Sequence, residues 1–231
     1  MNTIMILDGQ LFRLIQIGTV MTLPEYRGRG YIRVLMLEIE KDFSCKTDGM
    51  YLFANKSVIG MYPKFGYKPY KEYQYILKGS HSVEPASDLV KINQQSDKDI
   101  QLLKTAVENR KVISRFQMIG NSGLQMFHLS SYLSDSIYFR SSDSGYVITQ
   151  SEQDEVLIYD IFTEDSNCDI SYVSSYTSTV NSKIKLGFVP IDYHKYECQE
   201  IIDEDTTLFA KGDFFDLFEQ NKLMFPLLSR A

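Results

Sequence analysis

A chain of 231 residues with 44% hydrophobic content can bury one sizeable core or two smaller ones. Its formal net charge of −6 argues against nucleic acid as the main partner. Three cysteines (Cys45, Cys168 and Cys198) without Cys-x-x-Cys spacing indicate neither a disulfide framework nor a cysteine metal site, and His81, His128 and His194 are too dispersed to suggest a metal.

No apolar run approaches transmembrane length, and Asp8 interrupts the opening segment before a signal-peptide core could form, so a cytoplasmic protein without a membrane partner is expected. Thr3–Leu7 and Gln10–Leu23 read as two strands around Asp8-Gly9, a favourable two-residue turn. The second strand runs into Pro24 and then into Arg27-Gly28-Arg29-Gly30, ahead of a helix from Tyr31 to Phe43. A strand, a glycine-rich loop and a helix in that order offer converging backbone amides and a partial positive charge to a pyrophosphate. The helix is amphipathic, with Ile32, Leu35, Ile39 and Phe43 predicted on one face and Arg33, Glu40 and Lys41 elsewhere. Met50–Ala54 reads as a buried strand that ends at Asn55. A short segment follows and closes in Met61-Tyr62-Pro63-Lys64-Phe65-Gly66-Tyr67.

Two motifs in this order, over about residues 3–78, resemble the GNAT superfamily of acetyl-CoA-dependent N-acetyltransferases. The superfamily's phosphate signature, Arg/Gln-x-x-Gly-x-Gly/Ala, is matched by Arg27 to Ile32 at every defined position except the last, and its Tyr-x-x-aromatic-Gly-aromatic motif is matched by Tyr62 to Tyr67. The resemblance implies an α/β fold with a mixed sheet and acetyl-CoA as co-substrate without a metal. It also implies transfer of the acetyl group to a primary amine of a small molecule or peptide. Gly28, Gly30, Tyr31 and Ile32 would then hold the pyrophosphate, with Arg27 and Arg29 adding charge. Val20, Met21 and Thr22 would pair with the pantetheine arm, and an amide near Met21 or Thr22 would polarise the thioester carbonyl. Asn55 would contact pantetheine, and Tyr62 would protonate the departing thiolate. Two departures stand out. Ile32 replaces a small residue, and the strand and helices that usually precede the loop, which help form the acceptor side, are absent from the front of this sequence. The chain then reads as a shortened member, a truncated product, or a fold completed by its own C-terminal half. The alternative to an enzyme is a catalytically inactive coenzyme A-binding or assembly module.

Residues 1–80 carry a net +4 and residues 81–231 a net −10, which suits capture of a polyanionic cofactor and a cationic acceptor, or simply two differently solvated surfaces. Residues 79–95 are polar and turn-rich and read as a linker between residues 1–78 and a second half, 96–231. Ser96-Asp97-Lys98-Asp99 looks like a capping box for a helix to about Arg110, with Ile100, Leu103 and Val107 inward. Ser136–Arg140, Gly145–Thr149 and Glu155–Phe162 read as an antiparallel meander, followed by strands at Lys183–Val189 and Thr206–Ala210 and a helix from Asp213 to about Leu223. Lys185-Leu186-Gly187-Phe188-Val189-Pro190 echoes Lys64-Phe65-Gly66-Tyr67-Lys68-Pro69, which suggests a degenerate second GNAT-like half. Thr163-Glu164-Asp165 is acidic where a phosphate site needs open amides, so this half would shape the acceptor cleft, complete the sheet or make a homo-oligomer. No general base is evident: Val20–Leu23 carries no carboxylate and Glu25 is expected to face solvent. The apolar ending, Leu223 to Ala231, is expected to be docked rather than frayed.

Overall fold

The computed structural model describes residues 1–77, 89–141, 144–165, 170, 183–203 and 205–231. His81, Cys168, most of the expected linker and the centre of the turn at 141–144 lie outside the described residues. The first half contributes β1 (Asn2–Leu7), β2 (Gln10–Gln16), α1 (Tyr31–Phe43), β3 (Gly49–Asn55), β4 (Lys68–Tyr70) and β5 (Tyr73–Leu77). Beyond residue 88 come β6 (Leu89–Lys91), α2 (Asp97–Asn109), β7 (Ser114–Ile119), α3 (Ser122–Ser130), β8 (Ile137–Arg140), β9 (Gly145–Glu152) and β10 (Glu155–Phe162). The chain closes with β11 (Lys183–Leu186), β12 (Val189–Pro190), β13 (Glu197–Glu200), β14 (Thr206–Lys211) and α4 (Phe214–Gln220).

Two seven-stranded mixed sheets result, in the orders β12-β7-β1-β2-β3-β14-β4 and β13-β5-β11-β10-β9-β8-β6. Among the described residues each sheet holds one parallel pair, β2 with β3 and β10 with β11, inside otherwise antiparallel pairing. The two halves trade strands at the same place. β14, late in the chain, slots between β3 and β4, while β5 slots between β11 and β13. Each sheet would otherwise expose an unpaired edge beside its parallel pair, and the exchange satisfies those backbone groups reciprocally.

The exchange buries an aromatic core. Phe214, Phe215 and Phe218 of α4 and Phe225 behind it pack with Phe116 and Tyr51 of the first sheet, and Phe225 stacks on Tyr51 at 3.9 Å and 12°. The C-terminal segment is docked as its composition suggests: Leu223, Met224 and Phe225 are fully buried. Glu72 clamps it, accepting from the Phe225 amide (2.8 Å) and pairing with Arg230 (3.0 Å). Ser96 caps α2 by accepting from the Asp99 amide, and Leu103 and Val107 face inward.

Several expectations need correction. β2 stops at Gln16 rather than Leu23, because β3 offers its last partner at Tyr51 and the chain then leaves the sheet through Thr19 at φ +54°. On α1 the core side is Met36 with Ile32 and Ile39, whereas Leu35 is 62% exposed and Phe43 also faces solvent. The narrow strip formed by Ile15, Ile17, Met50, Leu52 and Ala54 admits only that edge of the helix. The run Lys183–Val189 breaks at Gly187–Phe188, so that β11 stays in the second sheet and β12 crosses to the first. The six-residue echo therefore occupies unlike places: Lys185 and Leu186 are in a strand, while Lys64 and Phe65 are in a 3-10 turn. The internal likeness lies in the strand pairing instead. The last helix ends at Gln220, and β4 to β7, β13 and α3 were not foreseen.

Candidate functional site

The first parallel pair opens into a cleft. The Ile17 amide makes its last contact with the Tyr51 carbonyl (2.8 Å), after which β2 and β3 part. Residues 20–24, 26–28 and 30–32, with Val58, line a space of about 680 Å3. Pro24 starts a 3-10 turn through Tyr26, closed by the Tyr26 amide on Leu23 O (2.9 Å) and the Arg27 amide on Pro24 O (3.2 Å). Gly28 and Gly30 sit at φ +76° and +78°, a conformation that other residues adopt only with strain, and a Cβ built on either meets nothing within 4 Å. Gly30 is the N-cap of α1, no side chain caps that end, and no acid occupies its first turn. The first-turn amides therefore lack intrahelical partners and form an electropositive floor beside Arg27.

The cleft gathers eight of the eleven residues singled out from sequence: Val20, Met21, Thr22, Arg27, Gly28, Gly30, Tyr31 and Ile32. Arg27 braces the wall, its Nε donating to Thr22 O at 3.1 Å. Arg29 turns away and lays its guanidinium over the Tyr26 ring, 5.3 Å from the centroid. Ile32 is half-buried against the core beneath the cleft, so its side chain points partly inward while it remains part of the lining. Asn55 is exposed at the end of β3 opposite Thr206, and the 3-10 turn after it delivers Val58 to the cleft. Tyr62 is buried in the same core cluster as Val20 and Ile32, with its ring 5.8 Å from Phe209 and 6.5 Å from Tyr67. Burial raises the pKa of Tyr62, so its hydroxyl keeps its proton at neutral pH. Leu23, Pro24, Tyr26 and Val58 line the cleft without having been singled out, although the first three directly precede the glycine loop. Glu25 is exposed, and no carboxylate is among the described residues of the lining.

The second parallel pair is filled. There the Gly187 amide bonds Ile158 O (2.7 Å), and the Leu227 amide of the C-terminal segment in turn bonds Gly187 O (2.9 Å). A Cβ on Gly187 would lie 2.8 Å from Tyr159 O and 2.9 Å from the Leu227 side chain, so only glycine permits this closeness. The chain's own tail thus occupies the exit of β10 and β11, while at the exit of β2 and β3 its last residue, Ala231, reaches Gly18 and leaves the cleft lined from Val20 onward open. Three or more His, Cys, Asp or Glu placed to hold a metal do not occur among the described residues, and no helix there is long and apolar enough to cross a membrane.

Residues 1–70 match the sequence model of the family described as acetyltransferase (GNAT) domain. No curated protein matches the chain. Among solved structures, a conserved protein of Enterococcus faecalis V583, described as a probable N-acyltransferase, aligns with 91% of the chain at TM-score 0.50 and 17% identity. Eis1 from Mycobacterium abscessus aligns with 90% at TM-score 0.52 and 14% identity. These likenesses establish a shared fold, and the chain spans 57% and 59% of those two proteins respectively.

Proposed function

We propose, on the match of residues 1–70 to the acetyltransferase (GNAT) domain, that the chain is an acetyl-CoA-dependent N-acetyltransferase acting on a primary amine. The observation that carries the reading is the open cleft at the β2–β3 exit, floored by an uncapped helix N-terminus and two left-handed glycines. Its residue set fits a pyrophosphate-bearing donor: unpaired amides, Arg27 and no carboxylate side chain among the described residues of the lining. Acetyl-CoA would supply an activated acyl group as a thioester.

The protein's own part is positioning and charge. Gly28 to Ile32 would hold the phosphates, and Arg27, anchored on Thr22, would couple phosphate binding to the shape of the Val20–Leu23 wall. Amides of Met21 or Thr22 would donate to the thioester oxygen. Tyr62, kept protonated by burial, would donate its proton to the leaving sulfur. Asn55 would reach pantetheine only from the rim. The halves 1–78 and 96–231 would act as one body, since each lends a strand to the other's sheet. Incubating the protein with acetyl-CoA and a library of small amines and peptides, with mass spectrometry of the products, tests the reading. Acetylated amine supports it, and its absence despite measured coenzyme A binding refutes it.

One observation favours the inactive coenzyme A-binding or assembly module. Val34, Leu35 and Leu37 leave 58%, 62% and 53% of their surface in water on the outer side of α1, an apolar face available to a partner. That reading predicts coenzyme A binding without turnover on any amine.

A further inference from the structure

Two tyrosines stand at the rim of the cleft without serving the core. Tyr26 is 45% and Tyr31 48% exposed, and neither belongs to a hydrophobic core cluster. Their rings lie 6.4 Å apart and inclined at 57°, so that they form two walls of a shallow corner. Arg29 extends the Tyr26 wall with its flat guanidinium, and among the described residues it makes no ion pair that would hold it there. Both tyrosines line the cleft, and the glycine loop with its open amides lies between them in sequence. The surroundings thus place flat, half-wet π surfaces beside a phosphate floor.

We propose that Tyr26, Arg29 and Tyr31 form a seat for the purine base of the donor, making this corner the part of the site that selects a nucleotide-bearing thioester over a simple pantetheine one. The inference rests on the acyl-CoA reading above. A purine is flat and electron-poor at its edges, and it gains by stacking on an aromatic ring or on a guanidinium already laid on one. A ribose separates base from phosphate, so phosphates held on the Gly28–Ile32 amides leave the base at the rim rather than in the interior. Exposed rings that make no core contact serve such a ligand without loss of stability when it is absent.

The test is calorimetry with two probes, coenzyme A and 4′-phosphopantetheine, on the wild type, on Tyr26→Ala/Tyr31→Ala and on Arg29→Lys. Both tyrosines are surface residues, and an unchanged thermal midpoint checks that the variants fold. The double variant should lose about tenfold or more in coenzyme A affinity, the stacking of one base, while its affinity for 4′-phosphopantetheine stays within about twofold. Arg29→Lys keeps the charge but not the plane, and it should show the same selective loss to a smaller degree. Equal losses for both probes, or an unchanged coenzyme A affinity, would overturn the seat while leaving the phosphate floor standing. Failure of the wild type to bind either probe would overturn the acyl-CoA reading itself.

Discussion

Phe225→Ala examines the exchange of strands on which the architecture depends. Phe225 has no exposed surface, stacks on Tyr51 of β3 at 3.9 Å, and meets Phe218 at 5.2 Å and Phe116 of β7 at 5.3 Å. Truncating a buried phenylalanine costs about 3–5 kcal/mol through lost transfer energy and the cavity left behind. The lost ring pairs add about 0.5–1.5 kcal/mol each where they are well stacked, which puts the total near 5 kcal/mol. At about 2–4 °C per kcal/mol for a chain of this size, the midpoint should fall by about 10–20 °C. Because the ring joins the C-terminal segment to β3 of the first half and β7 of the second, scanning calorimetry should show one transition moving as a unit. A second transition left at the wild-type temperature, or a fall of less than about 3 °C, would refute the claim that this contact ties the two halves together.

Gly30→Glu should abolish coenzyme A binding by calorimetry, since the carboxylate would repel phosphates at the helix N-terminus, whereas Gly30→Ala should show only the strain of a left-handed residue, about 1–2 kcal/mol of stability. Tyr62→Phe removes one oxygen and should lower turnover about one hundred-fold or more with little change in cofactor affinity; a parallel loss of affinity would assign Tyr62 to binding instead. His128, whose pKa is lowered by burial against a smaller opposing effect of its Arg230 carbonyl bond, should make the fold acid-sensitive. The unfolded chain takes up this proton as pH falls through the ordinary value of 6.5 while the folded chain resists, so stability is complete above that value and lost below it. His128→Gln should therefore narrow the gap between midpoints measured at about pH 7.5 and pH 5.5, and an unchanged gap would rule His128 out as its source.

What was legible beforehand is what local chemistry controls. Arg27-Gly28-Arg29-Gly30 announces a loop because two glycines can take positive φ and the next residues begin a helix without a cap. The Asp8-Gly9 hairpin, the Ser96 cap and the β8–β9–β10 meander likewise follow from turn chemistry and short-range periodicity. Tyr62 to Tyr67 stood out through likeness to the superfamily's Tyr-x-x-aromatic-Gly-aromatic motif rather than through turn chemistry, and Gly66 in it sits at φ +82°. Only the tertiary structure decided where β2 ends, because the limit is the last partner on β3, 35 residues away, and no feature of residues 17–23 records it. It also decided that Leu35 faces water, that β5 and β14 cross to the other half's sheet, and that the tail fills one strand exit and leaves the cleft at the other open. Backbone turns and caps are set by neighbours in sequence; sheet partners, the side of a helix that is buried and the cleft left open are set by residues that meet only once the chain has folded.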